Sequence, residues 1–315
     1  MEQKREQRFA VSDIVVGKAR LAGEAGEQWL QSLDNLVAEL EQQWQITVGE
    51  PLSGGSRALV LPAWGKENQQ YILKVELPDI DPEEYWRGIT ALRLAEGKGY
   101  AKLYACDVER RACLLERLGQ PLKQCGYPVK RQMEIICDAL NQTWEISVEN
   151  PDLTAGAGSI NWFRGHISGS WEQLGHPCSK EVIELSMKYL DAREADMKPE
   201  EFVLLHGDAH NNNMLQVAPG VEEFKLIDPE GAVYEKAYDL GVLMREWPEE
   251  FQENTYEAGR ARSAFLAELT GVSEQSIWEW GYLQMVSTAL ILLLVGEQKL
   301  GREMLDIAEL WCEGV

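Results

Sequence analysis

Hydrophobic positions follow two different rhythms along the chain. Over 27–44 (EQWLQSLDNLVAELEQQW), Trp29, Leu30, Leu33, Leu36, Val37, Leu40 and Trp44 recur at helical spacing, which predicts an amphipathic helix. Short apolar runs at 45–48, 58–61 and 71–75, punctuated by Gly and Pro, read as strands. A second helical pattern covers 82–95, where Asp81-Pro82 supplies an N-cap and a first-turn proline. Runs at 103–107 and 112–116 complete a small antiparallel sheet. After Gly119-Gln120-Pro121-Leu122 the pattern turns helical, with stretches predicted at 129–147, 179–193, 255–269, 275–295 and 298–312. Between them, 150–178 is rich in Gly, Ser, Trp and His, and it reads as a loop-rich insertion suited to a substrate-specific surface. No repeat or low-complexity tract interrupts this order.

Composition narrows the class. A chain of 315 residues, 45% apolar and 26% charged, is an ordinary globular composition large enough for two lobes. The N-terminal MEQKREQRFA is polar, unlike a signal peptide. The longest apolar run, about 285–295, contains Ser287 and Thr288, is too short for a bilayer span and predicts a buried core helix. Six scattered cysteines without CxxC spacing suggest free thiols in a reducing cytoplasm. The net charge of −22 opposes nucleic-acid binding, which needs Lys and Arg against phosphates, and it suits a small cationic partner. Neither a membrane nor a nucleic acid is expected as a partner; monomer and homodimer both remain open.

The chemistry concentrates in Leu204-Leu205-His206-Gly207-Asp208-Ala209-His210-Asn211-Asn212-Asn213 and in Phe224-Lys225-Leu226-Ile227-Asp228-Pro229-Glu230-Gly231. Two apolar runs each deliver a carboxylate to a loop, with an Asn five positions after the first Asp. Such a set suits phosphoryl transfer: Asp208 orients an acceptor hydroxyl and takes its proton, while Asn213 and Asp228 offer hard oxygens to Mg²⁺ on nucleotide phosphates. His206 and His210 lack the further ligands of a zinc site; His206 is expected to hold the loop. Upstream, Ser53-Gly54-Gly55-Ser56 forms a turn where backbone N–H groups can approach phosphates, without the GKS/T of a P-loop. Lys74 stands within the apolar strand YILKV, a costly place unless it is paired or functional.

At these residues the chain resembles the aminoglycoside phosphotransferase superfamily, whose fold is like that of protein kinases. There HGDxxxxN stands for the kinase catalytic loop, and an I-D-x motif stands for DFG. The longer run IDPEG…AYDLG is similar to the streptomycin 6-kinase and hydroxyurea phosphotransferase branch, although Glu230 replaces that branch's usual Lys. The resemblance implies an α+β, protein-kinase-like two-lobed fold, with an N-lobe over 1–117 and a mainly helical C-lobe over 118–315. It further implies ATP, or GTP, with Mg²⁺, and a role for Lys74 on the α- and β-phosphates. In the family a helix Glu pairs with this Lys; Gly88 stands at the matching place, and Glu84, one turn earlier, is nominated instead, with Glu83 or a shift of the helix as the alternatives. Glu116 and Leu118 resemble the lobe-joining segment whose backbone holds the adenine edge. Asp239 resembles the buried Asp that braces the catalytic loop. For the acceptor, Glu230, Glu246 and Trp247 are the nominated contacts, drawn from the acidic stretch with Glu235, Glu249 and Glu250 and from aromatics that include Trp162 and Trp171. The expected activity is transfer to a hydroxyl of a cationic aminoglycoside such as streptomycin. The alternatives are hydroxyurea or a small metabolite on the same fold, or nucleotide binding without transfer.

Overall fold

The computed structural model describes residues 8–53, 55, 57–78, 82–150, 153 and 158–315. The chain divides into two compact units, Met1–Gly119 and Gln120–Val315, two residues beyond the division expected at 117/118.

In the first unit, helices α1 (Asp13–Leu21) and α2 (Glu24–Trp44) precede strands β1 (Thr47–Val48), β2 (Ala58–Trp64) and β3 (Gln70–Glu76). Helix α3 (Pro82–Ala95) and strands β4 (Leu103–Asp107) and β5 (Ala112–Glu116) complete it. The five strands pair antiparallel in the order β1-β2-β3-β5-β4. Alternation along the strands sorts their side chains: Leu59, Leu61, Leu73, Val75 and Leu114 join a core with Trp29, Leu33, Val37 and Leu40 of α2. Lys74, between Leu73 and Val75, therefore falls on the other face, opposite Val60 and Cys113 in register. Helix α1 is an addition to the expected order; Ser12 caps it by accepting from the Val15 N–H, and Val15 and Ala19 bury its inner side.

The second unit holds helices α4 (Val129–Thr143), α5 (Gly158–Gln173) and α6 (Lys180–Ala195), then strands β6 (Val203–Leu204), β7 (Met214–Gln216), β8 (Phe224–Leu226) and β9 (Val233–Tyr234). Helices α7 (Ala237–Arg245), α8 (Thr255–Thr270), α9 (Glu274–Leu294) and α10 (Gln298–Glu313) follow. The insertion expected to be loop-rich carries α5. Its apolar period was present as Ile160, Phe163 and Ile167, all buried, but outward Trp162 and interspersed Gly165 and Gly169 obscured it. Helix α9 is the centre of the unit, packed by α5, α6, α7, α8 and α10. It is long and apolar enough to span a bilayer by composition, yet 78% of the relevant window is buried inside the protein. At two places in its contact with α7 a glycine leaves room for the other helix. A Cβ on Gly241 would meet Trp280 Cβ at 2.9 Å, and one on Gly281 would meet Met244 Cβ at 2.5 Å. All six cysteines are free thiols.

Candidate active site

The two carboxylate-bearing loops leave from separate two-stranded ladders, β6 with β9 and β7 with β8. Backbone bonds tie them: Leu205 N–H donates to Ala232 O at 2.8 Å, Glu230 N–H to His206 O at 2.8 Å, and Ile227 N–H to Asn213 O at 2.9 Å. His206 adds a side-chain tie. Its Nε2 meets Ile227 O at 2.8 Å, where it must donate, and its Nδ1 accepts from Asp208 N at 3.1 Å. That fixes the neutral Nε2–H tautomer. Burial agrees, since it lowers the His206 pKa against the opposing pull of Asp239.

Asp239, fully buried on α7, braces the same loop. Its Oδ1 accepts from Gly207 N at 2.7 Å, and its Oδ2 accepts from His206 N at 3.1 Å and Trp144 Nε1 at 3.0 Å. Burial pushes this carboxyl up, and the His206 ring and these donors work against it. Gly207 sits at φ +89°, where a side chain is strained, and a Cβ there would lie 2.3 Å from Glu230 Oε2. The loop is also tied down on its far side, where buried Asn211 donates to Gln132 Oε1 on α4 at 2.9 Å.

Asp208 stands half-exposed between two bases. Arg245 Nη2, at the end of α7, reaches its Oδ1 at 2.5 Å, and His210 Nε2 reaches its Oδ2 at 3.3 Å. Burial alone would raise this carboxyl. The His210 hydrogen bond and the Arg245 charge outweigh it and hold the pKa at about 2. Asp208 is thus an ionised group, suited to orienting a hydroxyl. Arg245 is in turn held from α9, by Gln284 Oε1 at 3.1 Å and Thr288 Oγ1 at 2.6 Å.

Asp228 is exposed and lies in the left-handed region at φ +58°, a conformation Asp tolerates at some strain. Asn213 spends its Nδ2 on Asp208 O at 3.1 Å, so its Oδ1 is the atom it has for a cation. Among the described residues, no cluster of three or more His, Cys, Asp or Glu would hold a metal alone. Asn213 and Asp228 carry hard oxygens of the kind that would hold Mg²⁺, together with oxygens from outside the protein.

The nucleotide candidates lie in the first unit. Lys74 pairs with Glu76 Oε1 at 2.7 Å, and both side chains are largely buried. The carboxylate comes from the same strand, two residues on and therefore on the same face; Glu84 sits half-buried on α3. Ser53 is exposed in the turn before β2, and a Cβ on Gly55 would come within 3.0 Å of Ala58 O. Gly54 and Ser56 lie outside the described residues. Glu116 closes β5 by accepting from Lys102 N at 3.0 Å, and Leu118 follows it half-buried.

The sequence profile of the aminoglycoside/hydroxyurea antibiotic resistance kinases matches residues 43–296. The chain belongs to this kinase family. It is 27% identical to the streptomycin 6-kinase of Streptomyces glaucescens over 284 residues, 88% of each chain. It is 26% identical to the hydroxyurea phosphotransferase of Kitasatospora aureofaciens over 304 residues, 95% of this chain and 84% of that one. The choline kinase of Streptococcus pneumoniae shares the fold, with a TM-score of 0.63 and 18% identity over 90% of this chain and 99% of that one. The architecture is therefore the kinase-like α+β fold, with an antiparallel sheet in one unit and helices dominating the other.

Within this kinase the nominated acceptor contacts stand in unlike places. Glu230 is exposed and lies over Gly207 of the catalytic loop. Glu246 follows α7, where its carbonyl accepts from Arg262 Nη1 at 2.5 Å. Trp247 is buried, with the Arg262 guanidinium 5.8 Å from its ring centroid, so it packs as part of the core. Trp171 lies on His176, whereas Trp162 is half-exposed and stacks on His166 at 4.8 Å. Glu235 holds Trp280 Nε1 at 2.6 Å and meets the buried Arg193, which also grips Glu279. Sequence reasoning did not nominate Glu76, Arg245, Gln284 or Thr288. The period-2 pairing of Lys74 with Glu76 was available to it. A basic residue six positions after Asp239 and polar residues within an apolar helix were weaker signals.

Proposed function

We propose that this family member is an ATP-dependent O-phosphotransferase acting on a hydroxyl of a small, cationic antibiotic, with an aminoglycoside such as streptomycin as the leading acceptor. The observation that carries the reading is Asp208: a carboxylate kept ionised, on a loop fixed by Asp239 and His206, beside a neighbouring loop that offers Asp228. Asp208 accepts a hydrogen bond from the acceptor hydroxyl, aims its oxygen at the γ-phosphorus and receives its proton as the new O–P bond forms and the bridging bond to the β-phosphate breaks, releasing ADP. Lys74, held by Glu76, and the Ser53–Ser56 turn serve the nucleotide phosphates, and the backbone at Glu116 and Leu118 serves the base. Mg²⁺ on Asn213 and Asp228 would neutralise charge on the β- and γ-oxygens.

The net charge of −22 favours capture of a cation. ATP consumption should be followed with streptomycin, hydroxyurea and further hydroxylated antibiotics against a no-acceptor control, at low and high ionic strength. The expected result is efficient phosphorylation of streptomycin whose kcat/KM falls with salt, because exposed attractions are screened beyond about 8 Å at physiological ionic strength. Hydroxyurea is neutral and should turn over slowly without salt dependence. Faster turnover of hydroxyurea at every ionic strength would overturn the choice of acceptor, and no turnover of any compound would overturn the transferase reading.

A further inference from the structure

Of the chain's eleven tryptophans, all within the described residues, Trp162 alone is exposed. It stands on α5 with 52% of its surface open. One face of its indole lies on the His166 ring, at 4.8 Å between centroids and 13° between planes. An indole covered on both faces does not keep half its surface, so the face away from His166 is open. The backing ring is itself fixed. His166 Nε2 meets Ser287 O of α9 at 3.3 Å, where it must donate, and Nδ1 accepts from Ser170 Oγ at 3.1 Å. The open face of an indole attracts a cation, and α5 does not supply one. Its Arg164 is turned to α6, where Asp191 holds it at 2.7 Å and Glu194 at 2.9 Å.

Two chains of contact tie this indole to the catalytic loop. Behind His166, Ser287 is followed by Thr288, whose Oγ1 holds Arg245 Nη1 at 2.6 Å, and Arg245 Nη2 holds Asp208 Oδ1 at 2.5 Å. Beside it, Phe163 meets Trp162 edge to face at 5.1 Å and Tyr238 at 6.1 Å, and the Tyr238 hydroxyl lies within electrostatic reach of Glu230 and Arg245. Trp162 thus stands a few side chains from Asp208, a separation that a molecule of two or three rings covers. We infer that Trp162, backed by His166, is the stacking wall of the acceptor site and receives a planar cationic group of the acceptor, such as a guanidinium, on its open face while Asp208 holds the reacting hydroxyl. The inference rests on the phosphotransferase reading and narrows its acceptors to those that carry a flat cation a ring or more away from that hydroxyl. The net charge of −22 draws the cation in, and Glu230, exposed over Gly207 of the catalytic loop, adds local negative potential. Because the indole is already seated on a pinned ring, stacking on it costs little ordering of the protein.

The test uses the full chain as wild type, Trp162→Ala and Trp162→Phe, with thermal melts as the folding control. The acceptors are streptomycin, which carries guanidinium groups, and hydroxyurea, which is neutral. Trp162→Ala should raise the KM for streptomycin about threefold to thirtyfold, while kcat and the KM for ATP stay within about twofold. Trp162→Phe keeps an aromatic face and should fall between Trp162→Ala and wild type. Fluorescence gives a second readout. Acrylamide quenches exposed indoles first, so the component missing from Trp162→Phe reports on Trp162; saturating streptomycin should shield it, and hydroxyurea should not. A streptomycin KM within about twofold of wild type in folded Trp162→Ala would overturn the inference. So would a Trp162 component as quenchable with streptomycin as without it, a result that needs no Ala variant, and so would hydroxyurea as the better acceptor. Each of these leaves the transferase reading standing, whereas wild type that consumes no ATP with either compound removes both.

Discussion

Replacing Asp239 by Asn tests the scaffold of the site with little change in shape. The carboxylate accepts three N–H groups, two on Oδ2 and one on Oδ1, in a place without solvent. An amide keeps one oxygen. Its better orientation leaves that oxygen on Trp144 Nε1 and His206 N and turns an NH₂ toward Gly207 N–H, so donor faces donor. One buried donor left unsatisfied costs about 1–3 kcal/mol, and the two surviving bonds lose their charge assistance, for a total of roughly 2–4 kcal/mol. That is a large part of the 5–15 kcal/mol typical of a folded domain. The loss should be measured by urea unfolding in wild type, Asp239→Asn, Trp144→Phe and the double variant. The indole loses a bond to a carboxylate in the wild type but only one to a neutral amide oxygen in Asp239→Asn, so Trp144→Phe should cost about 1 kcal/mol less in the variant than in the wild type. Because Gly207 precedes Asp208, kcat should fall at least tenfold in Asp239→Asn even when it is folded. A loss below about 0.5 kcal/mol with an unchanged m-value would refute the assignment of these bonds as the brace.

Asp208→Asn should lower single-turnover transfer about 10²–10⁴-fold while nucleotide affinity stays near wild type; near-normal turnover would remove Asp208 from the chemistry. The same variant reports on pH. A carboxyl held at about 2, against about 3.9 unfolded, stabilises the protein above about pH 4, and that contribution disappears as pH falls from about 4 to 2. Acid titration of stability should therefore show the wild-type advantage shrinking in that window and level above pH 5. Asp228→Ala should abolish activity and flatten the Mg²⁺ dependence of ATP binding in calorimetry; unchanged metal dependence would mean that the cation is held elsewhere. Gly241→Ala should destabilise by about 1–3 kcal/mol despite the better helix propensity of Ala, because its Cβ meets the Trp280 backbone at 3.0 Å; a raised Tm would contradict the packing described.

The parts of this protein that depend on neighbours in sequence were legible from sequence. Strands β4 and β5 fall where alternation and turn residues put them, and Asp208, Asn213 and Asp228 lie within one short span. What escaped was set by distance along the chain. Arg245 meets Asp208 across 37 residues, and Gln284 meets Arg245 across 39; no local pattern marks either pair. Helix α5 was hidden for another reason: its small and aromatic residues mask an apolar stripe of three, Ile160, Phe163 and Ile167. The pairing of Lys74 with Glu76 was local and simple, two positions apart on one strand face.

The glycine contacts between α7 and α9 bear on how such an enzyme can acquire a new substrate. Arg245 rides on one helix and Gln284 on the other, and at Gly241 and Gly281 the two backbones already touch side-chain roots with no room to close further. Variation compatible with this frame falls on the tips of the side chains that it carries, such as those at 284, 288 and 245. A lineage, or a laboratory selection, that diversifies this scaffold should therefore keep both glycines.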